Sequence, residues 1–371
     1  MSAAAGGPST AVRDLLDGLH TSEAQVNLLT TTSPGESSVA YGRPWLIEVP
    51  RDYKGPLEYS RNIRQALETS DYDLYHAHAL WRDVNHATCS VARRKGRPYI
   101  ISPHGMLYPS ALRIKSWRKK IMLALWFRRD IQLASCLHVT SMTELEHCRA
   151  FGYKGAIALI PNPVVIPEKL PSAADNPNTA PVIGYLGRLH PIKKVDHLLR
   201  GAALAMQQGS KVFRIQLLGN GAPEYEAYLH TEIKRLGIEH IVEFAGFVSG
   251  AEKYARLTAL TALMLPSEQE NFGMVVPEAL ICRTPVYASL GTPWQELNTH
   301  GCGWWRDNSP ETIAATIREI LELPQDELRL MGERGHALVK EKYEQHKVAR
   351  MMMQLYTWLC GYGEKPDFVY E

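Results

Sequence analysis

The sequence predicts a two-part α/β protein with parallel sheets, and three observations predict it. Short apolar runs alternate with amphipathic stretches over most of the 371 residues, the pattern of strand–helix units with helices on both sheet faces. One proline-rich stretch interrupts that alternation. Glycines and charged residues gather directly after several of the apolar runs, where ligands bind in open α/β sheets.

Taken in order, the chain opens with Gly6-Gly7-Pro8-Ser9-Thr10, a glycine turn running into a helix expected over Thr10–Leu19. A doubly wound domain normally places a buried strand ahead of such a turn. None stands before Gly6, so the first strand of the N-terminal domain is expected to be missing and the true start to lie upstream. Loss of a central strand would otherwise expose two sheet edges. Strands are predicted at Gln25–Thr30, Leu74–His78, Tyr99–Ser102, Leu137–Thr140 and Ala156–Ile160. Ser141-Met142-Thr143-Glu144 reads as a capping box at a helix start.

Pro161, Pro163, Pro167, Pro171, Pro177 and Pro181 then punctuate a polar stretch. Proline lacks a backbone donor and pins φ, so this stretch cannot join a sheet and reads as a linker. It separates residues 1–165 from a second domain at 182–345, with the linker proper at 166–181. Strands in the second part are predicted at Val182–Leu186, Arg214–Leu218, Val242–Ala245, Ala262–Leu265 and Val286–Ala288. Ser309-Pro310-Glu311 reads as an N-cap followed by a first-turn proline. A final helix is predicted at Lys347–Leu359 within residues 346–371. A cleft between the two halves, facing the carboxyl ends of both sheets, is the expected ligand site.

Composition narrows the function. Hydrophobic residues make up 45% and charged residues 22%, and the formal charge is only +2. That balance argues against a nucleic-acid partner bound through global charge. The six cysteines are scattered without a C-x-x-C pair, so neither a disulfide framework nor a zinc site is expected and a reducing compartment is implied. No apolar run approaches the roughly 18 residues that span a bilayer, and the N-terminus lacks the pattern of a signal peptide.

Four patches carry the chemistry. Gly6 and Gly7 lie at a helix start whose amides can hold an anion, although a plain helix cap accounts for them equally. Ser102-Pro103-His104-Gly105-Met106 puts a histidine at a strand's carboxyl end; a turn histidine is the competing explanation, and His76 and His78 are weaker candidates of the same kind. Gly187-Arg188-Leu189-His190-Pro191-Ile192-Lys193-Lys194 places a planar fork, Arg188, and a point charge, Lys193, at a strand-to-helix junction. That pairing suits a diphosphate, while a solvated basic loop remains the alternative. Glu270-Asn271-Phe272-Gly273-Met274-Val275-Val276-Pro277-Glu278 sets two carboxylates on either side of a predicted helix start near Gly273. A carboxylate accepts from two vicinal hydroxyls at about 1.5–3 kcal/mol per charge-assisted bond, and helix-start amides lack intrahelical partners. Hydroxyls, then diphosphate, then hydroxyls is the layout of a sugar nucleotide.

These patches in this order resemble the retaining glycosyltransferases of family 4, which have the two-domain GT-B fold. Glu270 to Glu278 matches their E-x7-E signature, and Gly187-Arg188-Leu189 through Lys193 matches their phosphate-binding segment. Gly291-Thr292-Pro293-Trp294 and Gly301-Cys302-Gly303-Trp304-Trp305 look like the bacterial branch that builds surface polysaccharides. The resemblance covers nearly the whole chain. It implies two Rossmann-like domains facing across a cleft, with the C-terminal helix crossing back to the first. It implies transfer of a sugar from a nucleoside diphosphate sugar to a glycan or lipid-linked glycan, with retention and without a metal or other cofactor. Glu278 would then bind the ribose, Arg188 and Lys193 the diphosphate, with Gly6 and Gly7 in the matching first-domain loop. Glu270 with Asn271, Phe272, Gly273 and Met274 would hold the transferred sugar, and His104 would stand near its reacting face.

Lys194 departs from the family's usual glycine; it would add a third cation or point to solvent. Asp71-Tyr72-Asp73 resembles a metal-binding D-x-D but precedes a strand, so it reads as a turn. Residues 113–129 are basic and aromatic, and would either lie on an anionic membrane or pack with their basic face in water. The expected location is the cytoplasm, with peripheral contact at the inner face of the plasma membrane. A non-catalytic sugar-nucleotide-binding protein and a nonhydrolysing sugar-nucleotide epimerase are the alternative functions.

Overall fold

The computed structural model describes residues 7–20, 24–32, 40–52, 55, 57–114, 116–171 and 180–371. The chain divides into two compact units: Met1–Val165 together with Gln345–Glu371, and Ile166–Glu344.

In the first unit α1 (Gly7–His20) precedes β1 (Leu28–Thr32), β2 (Leu46–Pro50), α2 (Arg61–Thr69), β3 (Tyr75–His78), α3 (Asp83–Arg94) and β4 (Tyr99–Ser102). Next come α4 (Pro109–Arg113), α5 (Ser116–Met122), a π-helical turn (Leu123–Phe127) and α6 (Arg128–Gln132). Then follow β5 (Cys136–Val139), α7 (Met142–Ala150) and β6 (Ala156–Leu159). The second unit holds β7 (Val182–Leu186), α8 (Val195–Gln207), β8 (Arg214–Leu218), α9 (Pro223–Leu236), β9 (Val242–Gly246), α10 (Gly250–Thr258) and β10 (Ala262–Leu265). It continues through α11 (Val275–Ile281), β11 (Val286–Ser289), α12 (Glu296–Thr299), β12 (Gly303–Arg306), α13 (Pro310–Glu322) and α14 (Gln325–Lys342). Finally α15 (Gln345–Leu359) and β13 (Val369–Tyr370) belong to the first unit.

The second unit's sheet is fully parallel, in the order β12-β11-β10-β7-β8-β9. Strand order reverses between β7 and β10, which makes their carboxyl ends the topological switch point. The first unit's main sheet runs β13-β6-β5-β4-β3, parallel except for β13. Alternation divides its faces. Tyr75, Ala77, Tyr99, Ile101, Leu137 and Val139 join one core with residues of α2, α3 and α7. Ile100, Cys136 and Ala158 join another with Leu15 and Leu19 of α1 and Val348, Met352 and Leu355 of α15.

Several expectations need correction. Gly7 is not a turn residue: α1 already begins there and runs to His20 rather than over Thr10–Leu19, since Pro8 is tolerated in a first helical turn, where amides lack partners. Gly6 lies outside the described residues. The first strand is displaced from Gln25–Thr30 to Leu28–Thr32, because it pairs in parallel with β2, Leu28 opposite Leu46. These two strands form a sheet of their own, separate from β3. Strands β2, β12 and β13 carry no predicted counterpart. β2 is mostly exposed and ends in proline, and the two-residue β13 is too short for any periodicity.

Both helix starts read from sequence are present, one of them with a twist. Ser309 Oγ accepts from Thr312 N–H at 3.2 Å. Ser141 Oγ likewise accepts from Glu144 N–H at 3.2 Å, but the Glu144 carboxylate reaches Thr140 N–H at 3.0 Å and Gly105 N–H at 2.6 Å. It therefore ties the His104–Gly105 loop to α7. Asp71 and Asp73 sit in a turn, paired with Arg97 at 3.1 and 3.5 Å.

Candidate active site

In the second unit the basic loop leaves the carboxyl end of β7. Arg188 is exposed at the turn, and Tyr185 Oη donates to its carbonyl at 3.0 Å. His190 Nδ1 accepts from Ile192 N–H at 3.2 Å and so caps the single 3-10 turn Pro191–Lys193. Burial and the cations of Arg188 and Lys193 hold His190 below the usual histidine range, which marks this loop as electropositive. Lys194 follows at φ +51, in the left-handed region where glycine is the unstrained residue. Its ammonium pairs with Glu268 at 2.9 Å, at the solvent surface.

The loop after β10 meets the basic loop directly. Glu268 N–H donates to Ile192 O at 2.8 Å, and Lys193 forms an ion pair with Glu270. Ser267 Oγ, buried two residues beyond β10, donates to Glu270 Oε1 at 2.8 Å. Gly273 has φ +77, and a Cβ there would stand 3.3 Å from the Leu265 side chain, so the tight approach after Phe272 needs glycine. Phe272 is buried between Trp294 and Tyr343, with ring centroids 5.3 and 5.8 Å away, and Trp294 Nε1–H donates to the Phe272 carbonyl.

Glu278 is the fourth residue of α11. Its carboxylate does not join the Lys193–Glu270 pair; Lys253 of α10 holds Glu278 Oε1 at 2.8 Å. The helix start is also less rich in unpaired amides than expected. Val276 N–H is taken by Gly273 O at 2.9 Å and Pro277 has none. The structure thus brings Lys193, Glu270 and Ser267 into contact and sets Glu278 beside Lys253. Sequence reasoning missed Lys253 and Ser267: a lone lysine on an amphipathic helix and a serine after a strand carry no motif.

In the first unit His104 stands at φ +50 just after β4. His78 Nδ1 lies 3.2 Å from His104 Nε2, and the two ring planes lie 17° apart with centroids 5.5 Å apart. His76 stacks on His78 at 4.1 Å. Both side chains, weak candidates by sequence, belong to the same group as His104.

Residues 113–129 carry seven basic and no acidic side chains. Met122, Leu123 and Phe127 turn inward onto the core. Ile114, Trp117, Ile121, Leu125 and Trp126 are exposed, Trp117 and Leu125 by 63% and 59%. The solvent face is therefore apolar as well as basic. Among the described residues no helix is long and apolar enough to cross a membrane.

Comparison with known proteins fits this architecture. Residues 6–163 match the family described as Glycosyl transferase 4-like domain, and residues 168–337 match Glycosyl transferases group 1. A D-inositol 3-phosphate glycosyltransferase of Kineococcus radiotolerans is 29% identical over 164 residues, which cover 40% of this chain and 38% of that protein. An N-acetyl-alpha-D-glucosaminyl L-malate synthase of Bacillus anthracis is 28% identical over 177 residues, 47% of this chain and 45% of that one. The chain thus matches these relatives over less than half of their length. Among solved structures, sucrose-phosphate synthase of Thermosynechococcus elongatus superposes with a TM-score of 0.76 at 22% identity, covering 96% of this chain and 94% of that one. HepE of Anabaena, solved with UDP and glucose, gives 0.75 at 20% identity, covering 95% and 96%. With a glycosyl transferase 4-like match followed by a group 1 match, the chain resembles glycosyltransferases over most of its length and has the GT-B fold.

Proposed function

We propose that this protein transfers a sugar from a nucleoside diphosphate sugar to a glycan or lipid-linked glycan, with retention of anomeric configuration, in polysaccharide biosynthesis. The observation that carries this reading is the meeting of the two loops at the switch point, where Lys193 touches Glu270. Arg188 and Lys193 bind the diphosphate, and Glu278, steadied by Lys253, accepts from the ribose hydroxyls. Glu270 and the Asn271–Met274 segment hold the sugar, and His104 serves its reacting face. Relatives support a sugar-nucleotide donor: one is named as a GDP-mannose-dependent mannosyltransferase, and HepE was solved with UDP-glucose.

In this mechanism the bond between the anomeric carbon and the diphosphate oxygen breaks, and its electron pair leaves with the diphosphate. Fixed cations at Arg188 and Lys193 stabilise the charge that develops there, which lowers the barrier without a metal. The acceptor hydroxyl attacks from the face the diphosphate leaves, and its proton passes to a departing phosphate oxygen. No covalent sugar–protein intermediate is needed.

Residues 113–129 fit peripheral attachment to the inner, anionic face of the plasma membrane, where a lipid-linked acceptor would be found. Nucleoside diphosphate release from a panel of donors, with and without lipid-linked acceptor, tests the whole reading. Release that depends on acceptor supports transfer. An isomerised sugar without acceptor, or donor binding without any product, would overturn it.

A further inference from the structure

The polar end of one sheet face in the first unit holds a chain of hydrogen bonds whose direction can be worked out. His138 Nε2 lies 2.9 Å from the carbonyl oxygen of Ile160. A carbonyl only accepts, so this nitrogen carries the proton. Burial pushes His138 down to about 4, so the ring is neutral near pH 7 and its Nδ1 accepts. Its partner, Ser102 Oγ at 2.7 Å, must then donate. Having spent its proton, Ser102 accepts from His76 Nε2–H at 2.7 Å, and His76 Nδ1 accepts from Tyr356 Oη–H at 2.8 Å. Every ring nitrogen of His76 and His138 is thereby occupied and their tautomers are fixed. Neither of these two rings keeps a lone pair for a metal.

His78 lies between this locked chain and His104. Its ring stacks on His76 at 4.1 Å with planes 26° apart, and meets His104 edge to edge, with centroids 5.5 Å and planes 17° apart. Its own backbone is pinned: Asn85 Nδ2 donates to His78 O at 2.7 Å, and Ala79 N–H donates to Ser102 O at 2.8 Å. His104 has a left-handed backbone that a non-glycine residue keeps only where its surroundings over-determine it. Glu144 holds the backbone of that loop through Gly105 N–H, which leaves the imidazole itself to be held by His78.

We propose that His78 is the positioning residue of His104, holding the plane of its ring and coupling its tautomer to that of His78 for sugar transfer. The catalytic consequence rests on the proposed function; the positioning does not. Between two neutral imidazoles the His78 Nδ1···His104 Nε2 contact needs one donor and one acceptor, so the tautomers of the two rings are coupled, and with the ring planes only 17° apart the contact holds one edge of the His104 ring. His78 acts through His104 and leaves donor binding alone.

Two variants and two readouts test this. His78→Phe keeps a flat ring for stacking but removes the hydrogen bond; His78→Asn places an amide where Nδ1 was. His78→Phe should lower kcat about 10- to 100-fold, the range for a displaced catalytic group, with donor KM within about twofold and an unchanged melting temperature. His78→Asn should recover part of that loss. Nitrogen-15 spectra of the His104 imidazole should show a hydrogen-bonded Nε2 in the parent chain, and a shifted Nε2 resonance with a changed tautomer ratio in His78→Phe. Wild-type kcat in His78→Phe, or a His104 spectrum unaltered by it, would overturn the proposal. If His104→Ala transfers sugar as well as the parent, the assigned role of His104 has failed instead, and the tautomer spectra alone decide the positioning.

Discussion

Glu278 and Glu270 share a motif and differ in what holds them, so their loss should be felt differently. Glu278 is steadied by Lys253 at 2.8 Å, outside the Lys193–Glu270 pair. Removing a carboxylate that accepts charge-assisted bonds from ribose hydroxyls costs about 1.5–3 kcal/mol per bond. Glu278→Ala should therefore weaken nucleoside diphosphate binding at least about tenfold in calorimetry. Lys253→Met, which frees Glu278 but leaves it in place, should weaken binding in the same direction by less. Equal affinity in all three proteins would remove Glu278 from the ribose. Glu270→Ala should instead slow transfer at saturating donor. The E-x7-E spacing made both carboxylates legible in the sequence. Lys253 was not, because it belongs to another helix and only the fold sets it against α11. His78 was underrated for a similar reason: a strand-end histidine gains meaning only when His104 faces it from the next strand.

At the scale of elements, the stretch from α5 to α6 behaves as a two-faced strip. Inward-facing Phe127, Met122 and Leu123 leave Trp117, Ile121 and Leu125 to solvent, with Arg118, Lys120, Arg128 and Arg129 around them. Apolar burial in the headgroup region adds to an attraction of about 1 kcal/mol per basic residue near an anionic surface. The protein should sediment with phosphatidylglycerol vesicles, bind neutral vesicles weakly, and lose most binding in a Trp117→Ser, Ile121→Ser, Leu125→Ser triple variant. Undiminished binding by that variant would remove this surface from the membrane. The sequence showed the basic aromatic character of this stretch but could not assign its faces, since the π-helical turn shifts the helical phase midway. Strands were legible where they are buried on both faces, as β4, β5, β10 and β11 are. They escaped notice where exposure or brevity removed the pattern, as in β2 and β13. One glycine in the second unit is a sharper case. A Cβ on Gly291 would stand 2.0 Å from the carbonyl oxygen of Glu268, so Gly291→Ala must push the Glu268–Glu270 loop off the basic loop. It should cost about 1–3 kcal/mol, read as a lower melting temperature, and should slow transfer; an unchanged variant would mean that the loop yields freely.

The two units of the molecule should also fail at different acidities. In the first, burial pushes His104 to about 3 and His138 to about 4, and holds His76 and His78 well below the usual range, with the neighbouring imidazoles adding to the shift. An unfolded histidine titrates near about 6.5. The unfolded chain therefore takes up protons that the folded one refuses. Stability from these rings is complete above about pH 6.5 and is lost as the pH falls from there toward 4. At about 1.4 kcal/mol per unit, His138 alone accounts for on the order of 3 kcal/mol over that span. The direction of the hydrogen-bond chain gives the same sign, because a proton on His76 leaves Tyr356 Oη–H facing a donor. In the second unit the clearest depressed group is a carboxylate. Hydrogen bonds from Arg235 and then Arg200 draw Glu232 down to about 2, so its contribution survives until the pH drops below about 4.5. Acid titration followed by amide exchange should show β3–β6 and α15 losing protection between about pH 6.5 and 4 while β7–β11 keep theirs. His138→Gln, which keeps the Nε2–H donor to Ile160 and cannot take up a proton, should narrow that gap in acid even if it costs stability at pH 7.5. Protection lost by both units together across one pH interval would show that these histidines do not set the acid limit of the first.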